Sequence, residues 1–207
     1  VVSTAPAPRG SRAEKAAARR EAILAAALEE FAAQGFAATR LDDVARRAGV
    51  GKGTIYLHFR DKEELFQELV RSMIVPQVEV LEAGLRLDLP IRLVVAQFFD
   101  RFVREIYGTR RREVLRLILT EGQRFPQLAE FYYRAVVERG VAAVRDVLRC
   151  AHARGELPSE ALVDFPQLII APAVVAVVWS GMFERFAPLD VEALMRAHFE
   201  LLFGNET

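Results

Sequence analysis

The chain has 207 residues, 52% of them hydrophobic and 27% charged, with twenty-eight basic against twenty-eight acidic side chains. That balance excludes a disordered or collagen-like chain and leaves room for one large domain or two modest ones with a real core. A single cysteine, Cys150, excludes an intramolecular disulfide and a multi-cysteine metal site, and the leading residues do not read as a signal peptide, so the expected compartment is the cytoplasm. The zero net charge hides an asymmetry. Residues 1–62 carry eleven Lys/Arg against seven Asp/Glu, and the remainder seventeen against twenty-one. A basic front and an acidic body suit a protein that offers one end to DNA phosphates.

Residues 1–14 are rich in Pro, Ala and Ser and lack periodicity, and are expected to form a disordered basic arm. From about Arg12 a helical pattern runs to Gln34, with Ile23, Leu24, Ala27, Leu28 and Phe31 as its apolar stripe and Gly35 where a left-handed cap belongs. Thr39 is expected to cap the next helix, with Asp42 three residues on, and Leu41, Val44, Ala45 and Ala48 give that helix its apolar face. Gly49 supplies a turn. A second short helix, about Lys52 to Phe59, buries Ile55 and Phe59 and leaves Lys52, Thr54, Tyr56 and His58 for other uses. This is a helix-turn-helix, whose second helix enters the major groove of DNA.

Two other readings compete for the same residues. GVGKGT, Gly49 to Thr54, resembles part of a phosphate loop and would make the protein a nucleotide-binding enzyme. A phosphate loop follows a buried strand, however, and LDDVARRA is charged and helical in period. An ordinary helical hairpin leaves unexplained why two of the three lysines fall here, beside an exposed Tyr and His.

A long helix starting at Asp61 or Lys62 should be kinked or divided by Pro76. Further helices are expected from Pro90 to Gly108, from Arg110 to Gly122 and from Phe125 to Gly155, where Gly140 marks a bend or a close crossing and Cys150 a small core residue. Asp164-Phe165-Pro166 opens another helix, reaching about Arg185 with an internal kink at Pro172, and Asp190 caps the last, which closes at Gly204. The fold class is therefore all-α, with about nine helices: a three-helix head over 15–61 and a larger helical body over 62–207.

Between Asp164 and Glu184 lie nineteen residues without a charge. Two prolines, Gln167 and the absence of a basic flank argue against a membrane span, and a helix apolar all round fits a subunit interface. A homodimer through residues 165–185 and 190–203 is the expectation. Catalysis is not expected. The three histidines are far apart, Ser180 lacks a nucleophile elbow, and the adjacent acids Glu29-Glu30 and Asp42-Asp43 read as solvated faces. No metal or cofactor is expected.

AILAAALEEFAAQGF followed by TRLDDVARRAGVGKGTIYLHFRDKEEL resembles the head of the tetracycline-repressor (TetR) family of bacterial transcription regulators, over about residues 18–70. The resemblance implies DNA contacts at Thr39, Arg40, Lys52, Gly53, Thr54, Tyr56, His58 and Lys62, the last on phosphate at a helix start. It also implies a dimer on a palindromic operator, acting as a repressor released by a small molecule or, alternatively, as an activator. An effector cavity in the body is implied, and Phe98, Phe102, Arg104, Tyr107, Arg116, Glu121, Phe131, Tyr132 and Trp179 are candidates to line it. Gly51, where the family usually has Ser, and Leu57, where a polar or aromatic reader is common, depart from the pattern.

Overall fold

Helices form every regular element among residues 12–84, 89–157 and 159–204, the residues that the computed structural model describes, and no strand occurs among them. With the two π-helical stretches counted into the helices they continue, and a single turn set aside, the helices number ten. The first eleven residues of the arm expected over 1–14 lie outside the described residues, and the chain is helical from Arg12. It divides between Glu68 and Leu69 into two compact units. That is seven residues beyond the boundary at 61/62 expected from the sequence, because Leu65 and Phe66 are buried in the first unit's core.

In the head, α1 (Arg12–Ala38) is broken at Gly35, whose φ of 77° only glycine adopts at little cost. The break turns Phe36 back onto Phe31, with ring centroids 5.3 Å apart, and Phe66 stands edge-on to both at 6.3 and 6.0 Å. This fully buried aromatic cluster is the centre of the head. α2 (Leu41–Arg47) buries Leu41, Val44 and Ala45. It ends at Gly49 (φ 66°) with Val50 N–H donating to the Ala45 carbonyl at 3.0 Å and Gly49 N–H to that of Arg46 at 3.2 Å. These bonds satisfy the last carbonyls of the helix and set the turn into α3 (Lys52–His58).

Thr39 does not cap α2. Its hydroxyl donates to the Gly35 carbonyl at 2.8 Å, an acceptor beside the α1 break, and the residue is 2% exposed; Arg40, with extended backbone, is the N-cap and gives no side-chain bond. α4 (Lys62–Met73) starts in the expected place, Asp61 accepting from Glu64 N–H at 2.8 Å and the Glu64 carboxylate from Arg60 N–H at 2.8 Å.

In the body, the division expected at Pro76 falls between α4 and α5 (Val75–Gly84). Arg111 Nε donates to the Met73 carbonyl at this break, at 3.0 Å. α6 (Ile91–Arg101) continues as a π-helical stretch, Phe102–Tyr107, before α7 (Arg111–Glu121). α8 (Pro126–Tyr132) and α9 (Glu138–Ala153) are likewise joined through a π-helical stretch at Tyr133–Val137. The irregularity assigned to Gly140 thus lies before it. Gly140 faces open space and makes no close crossing. Cys150 is exposed and not a core residue, because the buried stripe of α9 is Val144, Leu148 and Ala151.

After the single turn α10 (Ala161–Asp164), α11 (Gln167–Met182) buries Ile169, Ala173, Ala176 and Val177, and α12 (Val191–Phe203) adds Val191 and Met195. Asp190 caps α12 as expected, accepting from Ala193 N–H at 2.9 Å. Pro172 lies inside α11 and has no N–H to give the Leu168 carbonyl. His198 of α12 approaches that carbonyl instead, Nε2 at 2.7 Å. The donor must be Nε2–H, which assigns the imidazole proton. No helix among the described residues is long and apolar enough to cross a membrane.

Candidate nucleic-acid interface and effector region

α3 has seven residues, of which only Ile55 is buried. The rest of its surface is therefore available to another molecule. Lys52, Gly53, Tyr56 and Leu57 are exposed, Leu57 by 86% and Tyr56 by 49%, with Thr54 and His58 half-buried. A Cβ added at Gly53 would meet nothing within 4 Å, so no internal packing requires glycine there. What the glycine leaves is bare backbone at the start of α3, where a polymer could approach closely. His58 packs toward Phe59, with ring centroids 6.3 Å apart.

The charged groups around α3 are tied down from α1 and α2. Glu30 is buried and accepts from Arg47 Nε at 2.5 Å and from Gln34, and Glu29 accepts from Arg47 Nη1 at 3.1 Å. Lys52 Nζ donates to Asp42 at 2.7 Å, and the Tyr56 hydroxyl lies 3.4 Å from the other oxygen of that carboxylate. The hydrogen bond from Lys52 holds the Asp42 carboxyl below the usual aspartate range, and in return raises the Lys52 ammonium. Neither acidic pair is simply solvated, because Glu29 and Glu30 both bond Arg47 of α2, and Asp42 bonds Lys52 of α3.

Lys62 is engaged within the head. Its ammonium donates to the carbonyls of Phe36 and Ala37, both at 2.8 Å, and of Thr39 at 3.3 Å, and it lies 4.8 Å from the centre of the Phe36 ring. An ammonium has three protons, and three backbone carbonyls take them. In this state Lys62 staples the end of α1 to the start of α4. Arg40 is exposed at the start of α2, whereas Thr39 is enclosed.

The body does not gather the expected effector residues around one cavity. Phe98 lines an apolar cavity of about 20 Å³ with Leu81, Val94, Val147 and Ile169. Arg116 lines a separate polar recess of about 160 Å³ between α7 and α11, with Arg112, Glu113, Ser180 and Glu184. Arg104 pairs with Asp100, four residues back on an exposed face, and lines neither of these two. Trp179 Nε1–H donates to the Ala187 carbonyl at 2.6 Å and its ring packs on Phe183, which ties it into the turn after α11.

Phe102 is buried in the core near Tyr107, whose ring carries the Arg112 guanidinium at 5.5 Å. Phe131 is covered by Arg71 at 4.7 Å, and burial pushes the Tyr132 hydroxyl well above the usual tyrosine range. Glu121 Oε2 is buried without a hydrogen-bond partner among the described residues, with Arg124 3.8 Å away. No group of three or more His, Cys, Asp or Glu among the described residues is placed to hold a metal ion.

Residues 23–69 match the tetR family of bacterial regulatory proteins, and residues 93–200 match the tetracyclin repressor-like C-terminal domain. The chain belongs to the TetR family. It is a DNA-binding transcriptional regulator of that family, and the α2–turn–α3 unit is its helix-turn-helix. Among TetR relatives, it is 33% identical to the transcriptional repressor BepR of Brucella suis over 156 residues, which are 73% of this chain and 74% of BepR. Its fold is similar to that of NalD of Pseudomonas aeruginosa, the secondary repressor of the MexAB-OprM multidrug efflux pump, with a TM-score of 0.70, 26% identity and coverage of 93% of this chain and 100% of NalD. It also resembles SmeT in complex with triclosan, with a TM-score of 0.76, 23% identity and 89% of each chain covered. Sequence reasoning about the TetR head missed the roles of Asp42 and Glu30. The one signal for them was a lysine or arginine at a matching place on the adjoining helix.

Proposed function

We propose that this regulator is a ligand-responsive repressor that binds a palindromic operator as a homodimer and leaves it when a small molecule enters the body. The observation that carries the reading is the surface of α3, which presents Lys52, Gly53, Tyr56 and Leu57 outward from a helix anchored by Ile55. Thr54 and His58 flank that surface, and Arg40 adds a charge at the start of α2. The names of BepR and NalD as repressors, and triclosan bound to SmeT, support the same reading.

Dimerisation is supported by α11. This helix has no charged residue, buries one face in the body core, and exposes Leu168, Val174, Val175, Val178 and Met182 on the other, with Phe186 70% exposed beyond its end. So much exposed apolar surface on one helix fits a subunit interface. The apolar cavity at Phe98 is no bigger than about one water, so an effector that occupies it has to enlarge it. Such an effector therefore acts by selecting an expanded conformation over this one. The protein acts by binding, without catalysis, in the cytoplasm.

Gel-shift titration with the DNA upstream of its own gene, and with a selected duplex library, tests the proposal. A salt-sensitive, sequence-dependent shift is expected. No shift with either DNA would overturn it.

A further inference from the structure

Asp42 stands in the first turn of α2, yet its carboxylate closes on two side chains of α3. Lys52 Nζ lies 2.7 Å from one oxygen and the Tyr56 hydroxyl 3.4 Å from the other. Lys52 and Tyr56 are four residues apart and so share one face of the helix. One carboxylate thus grips that face at both ends. Few other constraints act there, because Gly51 gives α3 no side-chain cap and Ile55 is its single buried residue.

We propose that Asp42 is an intramolecular stand-in for a DNA phosphate, occupying the ammonium and hydroxyl donors that a backbone phosphate would take and so restraining binding to DNA of random sequence. The proposal rests on α3 being the helix that meets DNA. A carboxylate and a phosphate diester offer the same thing to these donors: a negative charge shared between two oxygens. While Asp42 holds Lys52, the pair has no net charge and contributes little to counterion release, which dominates sequence-independent binding. An exposed ion pair of this kind is weak, so a phosphate fixed in place by the groove contacts of α3 can displace it. A random duplex makes no such groove contacts. Asp42 also holds Lys52 and Tyr56 in place before the encounter, which favours the complex that uses both.

The test compares wild type with Asp42→Asn and Asp43→Asn. Both variants lose one negative charge, from adjacent positions, but Asp43 pairs with Arg46 of its own helix at 2.5 Å, whereas Asp42 bonds Lys52 of α3. On a random-sequence duplex, the slope of log K against log salt is expected to steepen by about 0.9 in Asp42→Asn. Its gain over wild type should then grow about 3.5-fold between roughly 200 and 50 mM salt. Operator affinity should rise less, so that discrimination falls. Asp43→Asn should move the slope by less than half as much. An unchanged slope in Asp42→Asn, or an equal change in Asp43→Asn, overturns the proposal. Titration of wild type with operator against random DNA tests the proposed function separately, since the slope comparison needs no operator.

Discussion

The head and the body differ in how far along the chain a side chain finds its partner. In the head, Lys52 reaches Asp42 ten residues away, Arg47 reaches Glu30 seventeen away and Lys62 reaches Phe36 twenty-six away. Longer ties join Phe66 to Phe31 and Phe36, and Arg20 to Phe59 and Glu68. In the body, the N–H of Ile91 at the start of α6 is met by Glu156, sixty-five residues on, and Arg92 donates to the Phe203 carbonyl across one hundred and eleven. A helix-turn-helix closes on itself within a few turns, so a short motif contains most of its own constraints. The body assembles helix ends from opposite parts of the chain, and no local window contains both halves of such a tie.

The largest effect is expected at the head's centre. Phe31→Ala removes a fully buried ring from the cluster with Phe36 and Phe66 and should cost about 3–5 kcal/mol. Chemical denaturation should show that loss, and a change below about 1 kcal/mol would mean that the cluster does not hold the head together. The corresponding attack on the body leaves its core alone. Met182→Glu with Phe186→Glu places charge on exposed apolar positions and should convert a dimer into a folded monomer. Sedimentation with circular dichroism checks this, and an unchanged dimer would move the interface elsewhere.

A smaller effect sharpens the account of the head. Lys62→Met leaves three carbonyls without their donor and should lower stability by about 1–3 kcal/mol while leaving the salt slope of DNA binding unchanged. A slope reduced by about 0.9 with stability intact would instead make Lys62 a phosphate contact.

The smallest effect belongs to Glu156. The Arg154 side chain first, then the N–H of Ile91, hold its carboxyl below the usual glutamate range. A carboxyl with a depressed folded pKa stabilises at pH above its unfolded value, and that contribution is lost as pH falls through the folded one. Glu156→Gln should therefore flatten the acid limb of stability and leave its shape above about pH 6 unchanged. Thermal melts across pH 3–7 would show this, and an acid limb identical to wild type would exclude the contribution.

What the chain disclosed in advance follows the same division. Gly35, Gly49, Pro76 and Asp190 were legible because each acts through its own backbone or a bond within three residues. The cap expected at Thr39 was misplaced because its hydroxyl takes the Gly35 carbonyl beside the break in α1, and carbonyls just beyond that break hold the Lys62 ammonium in the same way. Cys150 was put in the core on residue type, which does not say which side of α9 faces inward. Most effector candidates were chosen as aromatics at helical spacing, with Arg104, Arg116 and Glu121 added as polar groups. That spacing fits ordinary packing equally well, and Trp179 and Arg104 were bound up by neighbours in their own helix or the next turn.

The proline within α11 has a wider consequence. Pro172 leaves one carbonyl of this helix without its usual donor, and the imidazole of His198 is what answers it. Any sliding of α12 along α11 by a turn would strand that oxygen. The two helices that carry the exposed apolar surface are thus keyed to one another by a missing proton on the backbone, in the way a lock pin finds a single notch. Because both the Nε2–H tautomer and the imidazolium carry a proton at that nitrogen, the key stays in the notch whether or not the ring is charged.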